Sequence, residues 1–123
     1  PSMIENKSGS IINISSSTVP MGLPLFMHYV TSKAAVAGMT RVMAKELGTH
    51  DSRVNAVMPG LTETEVDNVG RTDELVSRIV DIQSIKRVET PEDLVGLLMF
   101  LASPASSFIT GQSIIVDGGI AFS

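Results

Sequence analysis

Tyr29 and Lys33 stand four residues apart in the stretch HYVTSK, and Tyr29 is the only tyrosine of the chain. On a helix, positions i and i+4 share a face, so a phenol and an ammonium there can act together. A phenol gives up its proton reluctantly near neutral pH, since its ordinary pKa is about 10. A neighbouring ammonium favours the phenolate. At about 4 Å that attraction is about 1 kcal/mol in bulk water and about 4 kcal/mol at an effective dielectric near 20. The pairing therefore has chemical consequence only in a cleft partly closed to solvent; alone, it reads as an ordinary helix-surface pair. Ser16, thirteen residues before Tyr29, adds a hydroxyl able to donate to a carbonyl oxygen and stabilise developing negative charge. Together the three suit proton transfer at an alcohol or ketone while a hydride moves at carbon. None of them carries a hydride, so the reaction needs a redox cofactor.

Such groups need elements that bring them together. SIINISS, Ser10 to Ser16, is a β-branched run of the kind buried on both faces in a parallel sheet. Pro20, Gly22 and Pro24 then mark a loop. A helix is expected from about His28 to Leu47, with Val36, Met39, Met43 and Leu47 on its apolar face and Gly48 as its stop. RVNAVMPG, Arg53 to Gly60, reads as a second strand ended by Pro-Gly. A loop over 61–71 leads to a short helix, DELVSRIVDI. The next helix carries its own start signal: Thr90 as N-cap, Pro91 at the first helical position and Asp93 completing an acidic capping arrangement. QSIIVDGG, Gln112 to Gly119, reads as a third buried strand.

Strand, helix, strand, helices, strand predicts an α/β fold with a parallel sheet and right-handed crossovers. It matches part of a doubly wound nucleotide-binding sheet, in which ligands sit at the carboxyl ends of the strands. Ser15-Ser16, Pro59-Gly60 and Asp117-Gly118-Gly119 all fall at such ends. That coincidence moves Tyr29 and Lys33 from a surface pair to a shared site.

Composition sets outer limits. Apolar residues make up 43% and charged residues 18% of 123 positions, a globular rather than a disordered balance. The absence of cysteine removes disulfide and thiolate-metal frameworks, and two distant histidines make a zinc site a poor expectation. A net charge of −4 without a Lys/Arg cluster argues against a nucleic-acid partner. LVGLLMFLA, the longest apolar run at nine residues, is too short to cross a bilayer. With no leader-like segment ahead of the first strand, the expected location is cytoplasmic, away from any membrane. The opening PSMIENKSGS has no initiator methionine and reads as the end of a helix closed by Gly9, so the chain is expected to begin inside a larger fold.

NISSS, then YVTSK, then RVNAVMPG, then ITGQSIIVDGG, in this order and spacing, resembles the short-chain dehydrogenase/reductase family from the first residue to the last. The resemblance implies an NAD- or NADP-dependent oxidoreductase interconverting an alcohol and a ketone, 3-oxoacyl reductase-like or a hydroxy-compound dehydrogenase. It implies Tyr29 as catalytic acid/base and Lys33 as the group that favours the phenolate and binds the nicotinamide ribose hydroxyls. Ser16 would polarise the substrate oxygen. Pro59 and Gly60 match the loop beside the nicotinamide, while Leu61 and Thr64 fall where the family contacts the carboxamide. Residues 62 to about 84 match a substrate-binding lid, and Gly118-Gly119 a structural turn. A small-molecule alcohol or ketone substrate and a homo-oligomer, dimer or tetramer, are the implied partners.

The family's glycine-rich dinucleotide loop, its NNAG segment and its catalytic asparagine have no counterpart in these residues. Residues 1–123 are thus expected to be the C-terminal half of a Rossmann-type NAD(P)-binding domain, three strands of a larger sheet with crossover helices. Alone, such a half is expected to be inactive. The alternative expectation is a non-catalytic half-domain acting as an assembly or interaction module, because its first strand would present an open edge. Met21 and Met27 flank the expected pocket and are the expected contacts for an apolar substrate. Ala34, Ala35 and Gly38 form a smooth helix flank, for packing on the sheet or against a second subunit.

Overall fold

A computed structural model describes residues 1–65 and 71–122. Three parallel strands form one sheet in the order β1-β2-β3: β1 Gly9–Ile14, β2 Ser52–Pro59 and β3 Ser113–Val116. Among the described residues five α-helices accompany them: α1 Ser2–Glu5, α2 Thr18–Met21, α3 Met27–Leu47, α4 Asp73–Ile82 and α5 Pro91–Ala102. The expected α/β arrangement of parallel strands and crossover helices is thus present. β2 lies in the middle and is the hydrophobic centre, with Val54, Ala56 and Val57 wholly buried. Ile11 opposes Val54 and Ile14 opposes Val57 across the β1–β2 ladder.

The two long helices cover opposite faces of the sheet. On one face Asn13 Nδ2 donates to Thr40 Oγ1 of α3 at 2.9 Å. On the other, Ser10 Oγ donates to Leu101 O at the end of α5, at 2.7 Å. Side chains alternate along a strand, so Ser10 and Asn13 reach opposite ways. α5 begins as its sequence dictates, with Thr90 as N-cap, Pro91 at the first position and a reciprocal capping box to Asp93. Arg87 closes a two-pronged pair on the same carboxylate, at 2.6 and 2.7 Å.

Several expectations about α3 give way to the packing. The residues buried on the sheet are Ala37, Thr40 and Ala44, while Met39 is 49% exposed. Small side chains let the helix axis approach the strands, and the larger apolar residues are turned to its flanks. Ala34, Ala35 and Gly38 are exposed, so that flank does not pack on the sheet. Gly48 does not stop the helix in a left-handed conformation. It stays right-handed, a 3₁₀ turn runs over Gly48–His50, and Asp51 takes the positive φ of 54°. Likewise Lys7 (φ 46°), not Gly9, turns the chain after α1, and Gly9 already belongs to β1. The loop expected after β1 contains the short helix α2, ended by Gly22 at φ 61°.

Candidate active site

β1 ends at Ile14, but the chain beyond it stays alongside β2. Ser15 N donates to Val57 O at 2.8 Å and Ser17 N to Pro59 O at 2.9 Å. This extension sets Ser16 beside the end of β2, where Pro59 leads into Gly60. Ser16 is buried, and its Oγ accepts from Thr18 N at 3.2 Å and from Thr18 Oγ1 at 3.0 Å. A hydroxyl has one proton to give. With two donors already aimed at the oxygen, that proton is left for another acceptor.

α3 supplies the other two groups from its first turns. Ser15 Oγ donates to Lys33 O at 2.8 Å, which ties the helix to the end of β1. Lys33 Nζ donates to Ile14 O at 3.1 Å and stands 5.8 Å from the centroid of the Tyr29 ring. The lysine is therefore folded back over the phenol rather than extended into solvent. Tyr29 is 38% exposed, open on the side that faces the cleft.

Ser16, Tyr29, Gly60 and Leu61 line one cleft of about 380 Å³. Lys33 stands behind Tyr29, outside the lining, and Pro59 is the last residue of β2. Thr64 is exposed and outside the lining as well. Of the expected lid, 66–70 lie outside the described residues, whereas α4 borders the cleft through Leu75 and Ile79. A second concavity, along β3 and Phe122, gathers none of the expected site residues.

The turn after β2 is held by a residue that sequence reasoning passed over. Glu89 is buried; its Oε2 accepts from Gly60 N and its Oε1 from Thr62 Oγ1, both at 3.0 Å. Burial pushes its carboxyl above the ordinary glutamate range, partly offset by the Thr62 and Gly60 bonds, and the Asp93 and Asp117 charges add to the rise. A Cβ on Gly60 would come within 2.7 Å of Glu89 Oε2 and 3.0 Å of Asp117 Cα, so only glycine fits between them. Asp117 also does more than mark a strand end. Its carboxylate accepts from the backbone N–H of Gly119, Ile120 and Ala121 at 3.0, 3.1 and 3.0 Å. The only sequence signal for Glu89 was an acidic residue just ahead of a helix cap, which usually signifies a solvated turn.

The residues present suit the nicotinamide end of a dinucleotide. An ammonium has three N–H donors, and Lys33 directs one to Ile14 O. That donor chemistry fits the vicinal hydroxyls of a ribose. Among the described residues there is no cluster of His, Cys, Asp or Glu able to hold a metal ion. Nor, among them, is any helix long and apolar enough to cross a membrane.

Residues 1–121 match the family model described as enoyl-(acyl carrier protein) reductase. The chain belongs to the short-chain dehydrogenase/reductase family, a family of oxidoreductases. It is 39% identical over 121 residues to a probable galactose dehydrogenase of Rhizobium meliloti, covering 98% of this chain and 47% of that protein. It is 42% identical over 123 residues to a 3-oxoacyl-[acyl-carrier-protein] reductase of Thermotoga maritima, covering 98% and 48%. Among solved structures, a 3-oxoacyl-[acyl-carrier protein] reductase with bound NAD from Brucella melitensis superposes with a TM-score of 0.85 at 32% identity. That match covers 100% of this chain and 45% of that one. The chain thus spans about half the length of the relatives it matches.

Proposed function

We propose that residues 1–123 are the C-terminal half of a Rossmann-type domain in an NAD(P)(H)-dependent oxidoreductase that interconverts a small-molecule alcohol and a ketone. The observation that carries this reading is a single arrangement. Ser16 and Tyr29 share one cleft, and Lys33 is folded over the Tyr29 ring.

In this reading the nicotinamide, when bound, accepts or supplies the hydride at the substrate carbon. Tyr29 takes the hydroxyl proton as the alcohol becomes a ketone and returns it in the reverse direction. Ser16 donates to the substrate oxygen and so holds it in place as its charge changes. Lys33 sets its charge over the Tyr29 ring and would bind ribose hydroxyls with the N–H groups not used by Ile14. Gly60 and Leu61 would form the wall against the cofactor's nicotinamide and carboxamide, with Pro59 and Thr64 reaching it from outside the cleft lining and Glu89 fixing Gly60 and Thr62. The relatives' names support both NAD chemistry and carbonyl or hydroxyl substrates, and they leave the choice between NAD and NADP to experiment. A cytoplasmic homo-oligomer, dimer or tetramer, accompanies the proposal.

A second reading has an observation of its own. Among the described strands, β1 pairs on one side only, with β2, and Phe108 and Leu25 are almost fully exposed. An open edge with displayed apolar residues would suit a half-domain whose role is assembly. Titration with NAD(H) and NADP(H), followed by the nicotinamide absorbance during incubation with a panel of ketones and alcohols, separates the two. The oxidoreductase reading expects saturable cofactor binding and substrate-dependent absorbance change in the full-length protein. Absence of both would leave the assembly reading standing.

A further inference from the structure

The walls of the cleft are far less polar than the pair of catalytic candidates inside it. Met21, Leu23, Phe26, Leu75, Ile79 and Ile120 face the same space as Ser16 and Tyr29. Leu75 and Ile79 lie one turn apart on α4, and the adjoining face of the helix, about 100° round, carries the exposed Glu74–Arg78 pair at 2.7 Å. An amphipathic helix normally buries its apolar stripe against a core. α4 has no fully buried residue and presents this part of its stripe to the cleft instead. The apolar surface continues outward on either side of Phe26. Leu25 is 97% exposed and held at a positive φ of 69°, and Met27 is 83% exposed.

Apart from Ser16, Tyr29 and His28, the polar side chains lining the cleft already have partners. Ser17 Oγ donates to Met21 Sδ, Thr18 Oγ1 to Ser16 Oγ, and Arg71 Nη1 to Thr62 O at 3.1 Å. A substrate carrying many hydroxyls would exchange water for aliphatic carbon at most of them, and buried hydroxyls without partners oppose binding. A substrate with one oxygen and an apolar substituent would place that oxygen at Ser16 and Tyr29 and the remainder against the aliphatic walls. The cleft's volume of about 380 Å³ is within the range of small-molecule sites.

We infer that the cleft selects a ketone or secondary alcohol bearing a flexible apolar chain, and discriminates against polyhydroxylated sugars. The inference rests on the alcohol/ketone oxidoreductase reading of the site. It also divides the relatives, whose names include both a galactose dehydrogenase and 3-oxoacyl reductases.

Two measurements on the full-length protein test it. The first compares kcat/KM for straight-chain methyl ketones of increasing length with kcat/KM for D-galactose and D-xylose oxidation. The expected result is a rise of about fourfold per added methylene until the walls are covered, with Ile79→Asn flattening the slope. Sugars turned over as well as the ketones, or a flat chain-length series, would overturn the inference and leave the oxidoreductase reading intact. The second measures binding of the same ketones to the Tyr29→Phe protein by calorimetry. Affinity rising with chain length and a negative heat-capacity change are expected. If no compound is turned over yet this binding series appears, the apolar cleft stands and the reaction reading falls. If neither turnover nor chain-dependent binding is seen, the apolar-chain inference is wrong.

Discussion

Lys33 Nζ lies 5.8 Å from the centre of the Tyr29 ring while donating to Ile14 O at 3.1 Å. The carbonyl bond matters as much as the proximity. A lysine stem has several free rotors, and without a fixed acceptor its charge would spend most of its time in solvent. The end of β1 supplies that acceptor. The strand therefore positions the ammonium over the phenol ring carried by its own helix.

Replacing Lys33 by Met keeps the stem and removes the charge. The expected outcome for the full-length protein is a fall of kcat/KM by about 10²-fold or more, together with weaker cofactor binding. Fluorescence titration of NAD(H) and NADP(H) reads the second effect separately from the first. A variant with unchanged affinity and unchanged rate would remove Lys33 from the site.

Ser16→Ala deletes the hydroxyl whose oxygen already accepts two bonds from Thr18. Loss of a single donor to a developing oxyanion costs about 10²–10³ in kcat. Steady-state kinetics should show that loss mainly in kcat, with little change in cofactor affinity. A purely structural serine would instead lower the unfolding midpoint and leave kcat near that of the parent.

Gly60→Ala tests the packing of the turn after β2. The added methyl would meet Glu89 Oε2 at 2.7 Å, Asp117 Cβ at 2.9 Å and Asp117 Cα at 3.0 Å. The carboxylate end of Glu89 can shift, but the backbone of Asp117 cannot do so cheaply. Denaturant unfolding should report destabilisation of about 1–3 kcal/mol. A variant as stable as the parent would mean that the turn has slack these distances deny.

Glu89 and Asp93 should pull stability in opposite directions with pH. Burial raises the Glu89 carboxyl, so the folded state binds its proton more tightly than the unfolded chain does. Its contribution is most favourable below the ordinary glutamate value of about 4.3 and is lost as pH rises through the raised folded value. The hydrogen bond from Arg87, then that from Thr90 N–H, hold the Asp93 carboxyl well below the usual range. Its contribution is present above about 3.9 and is lost as pH falls further. Glu89→Gln should therefore gain stability relative to the parent as pH rises from about 4 to 7. Asp93→Asn should be less stable than the parent at pH 7 and approach it in acid. Midpoints in denaturant at several pH values check both; parallel curves for parent and variants would contradict the assignment.

Much of this site could be read from local chemistry. The capping box of α5 is contiguous in sequence, so Thr90, Pro91 and Asp93 announced it. The strands announced themselves by β-branched runs, and DELVSRIVDI matches α4 residue for residue. What sequence could not give depends on distance across the fold. Glu89 meets Gly60 over a separation of 29 residues, and no local pattern marks a glutamate as buried. The inner face of α3 was misjudged at Met39 for a related reason. Hydrophobicity suggested the large residues, whereas close approach to the sheet selected Ala37, Thr40 and Ala44. The apolar character of the cleft was only hinted at by Met21 and became legible once Leu75 and Ile79 of α4 were seen beside it.

The central claim is that the phenol of Tyr29 moves the substrate proton. Its most direct test is turnover by the full-length Tyr29→Phe protein, alongside its unfolding midpoint and its affinity for nicotinamide dinucleotide. Loss of the hydroxyl alone should lower kcat by about 10²–10⁴ while the protein stays folded and still binds the cofactor. A folded, cofactor-binding Tyr29→Phe protein that reduces ketones at the parent rate would contradict it.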